Sequence, residues 1–191
     1  MKTTHKIATI TAALIMSVAG TLVFAQTAAA ATSVMVGGAA MLPTRDIIDN
    51  AVNSKDHTTL VAAVKAAGLV ETLKGPGPFT VFAPTNEAFA ALPAGPVDTL
   101  LKPENKATLA GILTYHVVAG KVDSKALTKM ITDGKGTASL KTVAGGTLTA
   151  KVVGGKVMIT DEKGGSATVT IADVNQSNGI IHVVNKVLLP K

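Results

Sequence analysis

The chain has 191 residues, a formal charge of +6, no cysteine, no Trp, one Tyr and four Phe. Without thiols it cannot be a disulfide-stapled mini-protein or hold a metal through thiolates, so a packed core has to hold the fold. Its lysines are dispersed and its aromatics few, which argues against the basic, stacking surface of a nucleic-acid binder.

Lys2 and Lys6 precede an apolar stretch from Ile7 to Phe24, and small residues follow at Ala25 and at Ala28, Ala29 and Ala30. That is the pattern of a secretory signal peptide, expected over residues 1–30 and removed after Ala25 or Ala30. A retained membrane anchor is the alternative, since the run is near the lower limit of a spanning helix, but Gly20 and the small-residue exit favour cleavage. Losing Lys2 and Lys6 with the leader lowers the formal charge from +6 to +4. The expected product is soluble, with no cysteine for a lipid anchor and no apolar tail after Val187-Leu188-Leu189-Pro190-Lys191.

Residues 31–43, with Gly37 and Gly38, read as a flexible N-terminal segment, a leader strand or linker. A helical half follows. Ile47, Ile48, Ala51 and Val52 make one apolar face, and Leu60, Val61 and Val64 make another, which Gly68 ends in a left-handed cap. A short helical turn over Leu69–Leu73 leads into the breaker Gly75-Pro76-Gly77-Pro78. Phe79, Val81 and Ala83 then alternate as a half-buried strand that stops at Pro84. Thr85 offers a hydroxyl to the free amides of a new helix, Glu87 complements its dipole, Asn86 fixes the corner, and Phe89 turns back onto the strand. A short helix is expected over Val97–Leu101, and Pro103 starts another with Leu109, Ile112 and Leu113 facing inward.

Beyond Tyr115 the period changes from 3.6 to 2. Leu148, Ala150 and Val152 alternate up to the turn Gly154-Gly155, and Val157 and Ile159 alternate after it, so Val152 should pair with Val157 and Ala150 with Ile159. Ala138–Val143 and Ala167–Ala172 extend this hairpin into a meander, and the turn Asn178-Gly179 sets off a last strand, Ile180–Val184. Helices gathered before strands indicate an α+β domain with an antiparallel sheet, and there is no internal repeat.

Little in the chain nominates chemistry. The histidines His5, His57, His116 and His182 have no helical ligand spacing, so no metal and no cofactor is expected. Gly134-Lys135-Gly136-Thr137 and Gly154-Gly155-Lys156-Val157 fit tight turns and lack a phosphate-loop pattern. Asp161-Glu162 lacks calcium-loop spacing, and Ser166 lacks the nucleophile-elbow spacing. No catalytic residue is assigned, although a serine and a histidine far apart in sequence can still meet in space. Asn175-Gln176-Ser177 is a glycosylation sequon, meaningful in a host that modifies such sites.

Three segments together resemble the fasciclin-like family: FTVFAPTNEAF at 79–89, LTYHVVAG at 113–120 and NGIIHVVNKVLLP at 178–190. Their order and spacing agree, and the chain is similar to the small single-domain members exported by bacteria. The resemblance implies one fasciclin-like domain over residues 44–191, a β-wedge with helices packed on it. Its structural signature falls on Phe79, Phe82, Pro84, Thr85, Asn86, Phe89, Asn178, Gly179 and His182. It also implies a secreted or periplasmic adhesion module with no shared enzymatic activity, binding a protein or matrix partner. The partner contacts it implies are Tyr115, His116, Val117 and Val118, and Asp173 with Val174, where the family's Ile is shortened. An acid often follows the His-Val pair of the closing signature, and Asn185 stands there, able to keep a hydrogen bond but not a salt bridge. The residues themselves allow plainer roles. Tyr115 and His116 suit a helix-to-strand junction, and His182, on one face with Ile180 and Val184, suits a hydrogen-bonded core histidine. The alternative function is a periplasmic small-ligand carrier or enzyme, with a pocket near His116 or His182. A weaker one is salt-sensitive association with anionic surfaces through scattered lysines.

Overall fold

The computed structural model describes residues 33–92 and 97–191; the leader expected over residues 1–30 lies outside the described residues. The first strands, β1 (Val34–Val36) and β2 (Ala39–Met41), form a hairpin. Positive φ at Gly37 and Gly38 makes its two-residue turn, and Val36 and Met41 are buried. Of the two readings of this segment, leader strand or linker, residues 34–41 take the strand form, because Val36 and Met41 are apolar and reach the core. Helices α1 (Ile47–Ala51), α2 (Thr58–Ala67) and α3 (Val70–Lys74) follow, and α2 ends on Gly68 at φ +73°.

Strand β3 (Phe79–Pro84) turns into α4 (Asn86–Ala90) as its residues dictate: Thr85 Oγ1 accepts the Ala88 amide at 3.3 Å. Asn86 also reaches across, its Oδ1 accepting the Thr59 amide at 2.9 Å and its Nδ2 donating to the Lys55 carbonyl at 2.8 Å. It thus caps α2, whose own N-cap residue, His57, supplies no side-chain bond. After α5 (Val97–Leu100), Pro103 opens a 3-10 turn and α6 (Lys106–Tyr115) buries Leu109, Ile112 and Leu113.

The sheet takes the order β4 (Val117–Ala119), β3, β9 (Gly179–Val184), β8 (Ser166–Gln176), β7 (Lys156–Thr160), β6 (Thr147–Val153) and β5 (Ala138–Lys141). The β6–β7 register is the one expected, Val152 opposite Val157 and Ala150 opposite Ile159. One pair departs from the antiparallel expectation: β3 runs parallel to β9. The outer strands nearly meet, since Val143 N–H donates to the Val117 carbonyl at 2.8 Å and Val118 bridges to Thr142. This contact covers the edge of β4, where an exposed strand edge would invite aggregation.

The parallel pair β3–β9 is the wall between two cores. Val81, Ala83, Ile181 and Val183 face a helical core with Leu60, Val64, Leu109 and Leu113. Phe82 and Val184 face a second core with Tyr115, Leu127, Leu140, Leu148 and Ile159. Both faces of β3 are therefore buried, Thr80 and Phe82 fully, where alternation had suggested a half-buried strand. Helix α7 (Ser124–Asp133) caps the second core through Leu127 and Ile131. It interrupts the stretch read as period 2. Asp123 at its N-cap and the i, i+4 pair Leu127 and Ile131 are the signals for it.

Candidate functional site

Four of the candidate contacts, Tyr115 to Val118, lie at one corner where α6 passes into β4, whereas Asp173 and Val174 lie on β8. Tyr115 ends the helix with its side chain fully buried, its hydroxyl donating to the Thr147 carbonyl at 3.0 Å and accepting the Glu162 amide at 3.1 Å. Burial raises its pKa. Gly146 lies flush on the ring: a Cβ there would stand 2.6 Å from Tyr115 Cε2.

His116 is 2 % exposed. Its Nδ1 meets the Ile112 carbonyl at 2.8 Å, and its Nε2 accepts the Leu188 amide at 2.9 Å. A carbonyl on one side and an N–H on the other fix the neutral Nδ1–H tautomer. Protonation would set an N–H against the Leu188 N–H, and burial pushes the pKa down to about 4. Leu189 is pinned beside it by Asp161 Oδ2 at 3.0 Å, so these two acceptors hold the C-terminal tail.

His182 is the mirror case. Its Nε2 meets the Val122 carbonyl at 2.8 Å, its Nδ1 faces the Asp173 amide at 3.4 Å, and burial lowers its pKa. Its ring stacks on Phe82 with centroids 5.7 Å apart. Asp173 sits at φ +59° on an irregular stretch of β8, which aims its carboxylate at the start of α7. Oδ1 accepts the Ser124 amide at 2.7 Å and Oδ2 accepts the Ser124 hydroxyl.

Five of the six sequence-chosen contacts, Tyr115, His116, Val117, Val118 and Val174, are buried, so none presents its side chain to a partner in this conformation. Asp173 is half-buried, with both oxygens committed to Ser124. The signature residues hold the frame. Asn178 Oδ1 accepts the Ile47 amide at 3.1 Å and its Nδ2 donates to the Leu73 carbonyl at 2.7 Å, tying the β8–β9 turn to α1 and α3. Asn185 keeps the hydrogen bond an amide allows, accepting the Thr168 amide at 2.8 Å.

The same geometry bears on catalysis. Ser124, Asp173 and His182 are neighbours, but Asp173 binds the serine directly while His182 spends both nitrogens on backbone, so no base faces the hydroxyl. Ser54 Oγ does meet His57 Nδ1 at 2.9 Å, yet both residues are buried and no substrate carbonyl could approach them. Burial lowers the His57 pKa, and its Nε2 makes no hydrogen bond. Among the described residues no group of His, Asp or Glu is placed to hold a metal ion. The cavity beside His116 is apolar, lined by residues such as Ile48, Leu60, Val81 and Leu113, and measures about 30 Å³. Ligand sites run to about 300–1,000 Å³.

What the fold exposes lies elsewhere. Pairing between β5 and β6 stops at Ala138 and Ala150, and pairing between β7 and β8 stops at Met158 and Thr168. The tip of the β6–β7 hairpin, residues 151–157, therefore runs beyond both neighbours as a two-stranded ribbon. Val152 is 45 % and Val153 48 % exposed there. Lys151 and Lys156 flank them, and neither is in an ion pair among the described residues. The sequence carried one sign of this: Val153 breaks the polar side of the alternation just before Gly154.

Comparison with known proteins agrees with this architecture. The model of the fasciclin domain matches residues 55–190. The Synechocystis protein sll1483 is 45% identical over 171 residues, covering 83% of this chain and 81% of the relative. Pig transforming growth factor-beta-induced protein ig-h3 is 36% identical over 153 residues, covering 78% of this chain and 20% of that longer protein. The domain pair of the insect cell adhesion molecule fasciclin I superposes with a TM-score of 0.67 at 20% identity, covering 78% of this chain and 52% of that one. Among the described residues no helix is long and apolar enough to cross a membrane.

Proposed function

The chain belongs to the fasciclin domain family, and on that premise we propose that it is an exported, non-enzymatic interaction module. Residues 1–30 serve as a leader that is removed, and the domain works in the periplasm or at the cell surface. It attaches there to a protein or matrix partner. The contact surface is the β6–β7 tip, in place of the buried Tyr115–Val118 corner. The observation that carries this reading is the ribbon itself. Two exposed valines stand at the end of β6, where the outer edge of the strand is unpaired, in a domain that puts Tyr115, Phe82 and Phe89 inside. An open edge can accept an added strand, with backbone hydrogen bonds for affinity and side chains for selectivity. Lys151 and Lys156 favour an extended, acidic segment as the added strand.

Replacing Val152 and Val153 by Thr keeps the β-branched shape and removes apolar contact. Adhesion of the mature domain to envelope or matrix preparations should fall while the melting temperature holds. Unchanged adhesion in that variant, with loss in one that opens the Tyr115 corner but stays folded, would return the contact to the buried segment.

A further inference from the structure

A second concave surface lies away from the hairpin tip, between α4, the β7–β8 turn and the C-terminal tail. It encloses about 410 Å³, within the size range of small-ligand sites. Its walls are apolar on two sides, with Ala91 and Leu92 at the end of α4 and Val187 and Leu189 on the tail. Two lysines, Lys163 from the turn and Lys186 from the tail, line it as well, and neither is in an ion pair among the described residues. Asp161 is the one acid in the lining. Its oxygens are already occupied by the Lys163, Gly165 and Leu189 amides at 3.0, 2.7 and 3.0 Å. It fixes the turn to the tail and so sets the distance between the walls.

From this we infer that the groove binds a single-chain amphiphilic carboxylate, with the head between Lys163 and Lys186 and the acyl body along Leu92, Val187 and Leu189. Charge complementarity selects an anion, and the apolar walls select one with an aliphatic body. A peptide C-terminus carries the same head group, but it would need backbone partners. The Leu188, Leu189, Lys163 and Gly165 amides are already donated to His116 and Asp161, and α4 offers no strand edge. An acyl chain asks for none. The inference is independent of the proposed adhesive role, because its residues and those of the β6–β7 tip do not overlap.

The test is titration of the mature domain with octanoate, followed by amide chemical shifts. Saturable shifts should appear at Leu92, Gly165 and Leu189, and they should weaken at high salt because the head-group contacts are exposed. K163A/K186A should weaken octanoate binding about five- to tenfold, the scale of two exposed charge contacts. Ala91→Phe, at the exposed residue that ends α4 on its C-terminal side, should block the groove without changing its charge. The V152T/V153T variant should bind octanoate normally, which separates this site from the adhesive one. Octanol binding as well as octanoate, or a lysine double variant that binds unchanged, would overturn the anion assignment. Shifts scattered over other elements, or none at millimolar octanoate, would overturn the site. An acidic peptide binding there more tightly than octanoate would reassign the occupant.

Discussion

The two ends of strand β6 teach different things. At its start, Thr147 is locked: its carbonyl takes the Tyr115 hydroxyl, its amide reaches Glu162 Oε1 at 3.0 Å, and Gly146 presses on the Tyr115 ring. At its end, Val152 and Val153 have no neighbour strand on the outer side and are almost half exposed. The locked end has its polar groups, and the ring of Tyr115 beside it, committed inside the fold. The open end carries no motif and leaves two valines exposed on an unpaired stretch of strand. A Tyr-His pair that carries the family resemblance can thus stand at a corner of the frame with its side chains committed inside the fold.

Breaking the locked end should cost most. Tyr115→Ala removes a fully buried ring and strands the Glu162 amide, and such truncations cost about 3–5 kcal/mol. Thermal unfolding should show a greatly lowered midpoint, whereas Tyr115→Phe, losing the hydroxyl bonds alone, should cost about 1–2 kcal/mol. A Tyr115→Ala domain that melts like the parent would show that the corner is not holding the fold.

Acid should act on the same corner next. His116 is neutral when folded, with its pKa held at about 4 against 6.5 unfolded. A depressed histidine pKa means the unfolded chain takes up protons first, so the stability is whole above pH 6.5 and declines as pH falls toward 4. The loss from His116 is about 3 kcal/mol, and His182 and His57, also lowered by burial, add to it with the same sign. Urea midpoints measured between pH 7 and 4.5 isolate this effect from Asp49, whose lowered pKa acts below 3.8. A flat midpoint across that window would contradict the neutral, hydrogen-bonded histidines.

Asp173 sharpens the comparison, since it alone of the six sequence-chosen contacts is partly exposed. Asp173→Ala loses the bonds to Ser124 and leaves a Cβ residue at φ +59°, and should destabilise by about 2 kcal/mol. Asp173→Gly relieves the backbone but not the lost bonds, so its midpoint should fall between. If adhesion drops in Asp173→Asn while the midpoint holds, Asp173 touches the partner after all.

Local patterns carried much of the fold. The β6–β7 register, the Gly68 cap, the Thr85 corner and the buried face of α6 each follow from a period of 2 or 3.6 or from a capping residue. What was missed depends on distant pairing. Nothing within Phe79–Pro84 states that β3 lies between β4 and β9, buried on both faces and parallel to one of them. Helix α7 was hidden because only Leu127 and Ile131 are buried on a short, largely polar helix among strands on either side. The candidate site was legible in part: the Tyr-His segment located a junction, but burial is set by elements up to 72 residues away, such as Leu188 on His116.

The smallest expected stability effect should go with the largest loss of adhesion. Val152 and Val153 are solvent-facing, so Thr at both positions should change the unfolding free energy by about 0.5 kcal/mol or less. Thr retains the stiffness that suits a strand, so the ribbon keeps its register with Val157 and Lys156. Adhesion should nevertheless fall, because apolar surface at an unpaired edge gains most when covered. Reversing Lys151 and Lys156 to Glu should weaken it again, through the rate of association, and that loss should shrink with added salt. Equal adhesion for parent, valine and lysine variants would remove the tip from consideration and leave the locked end, opened by some change of conformation, as the place to look.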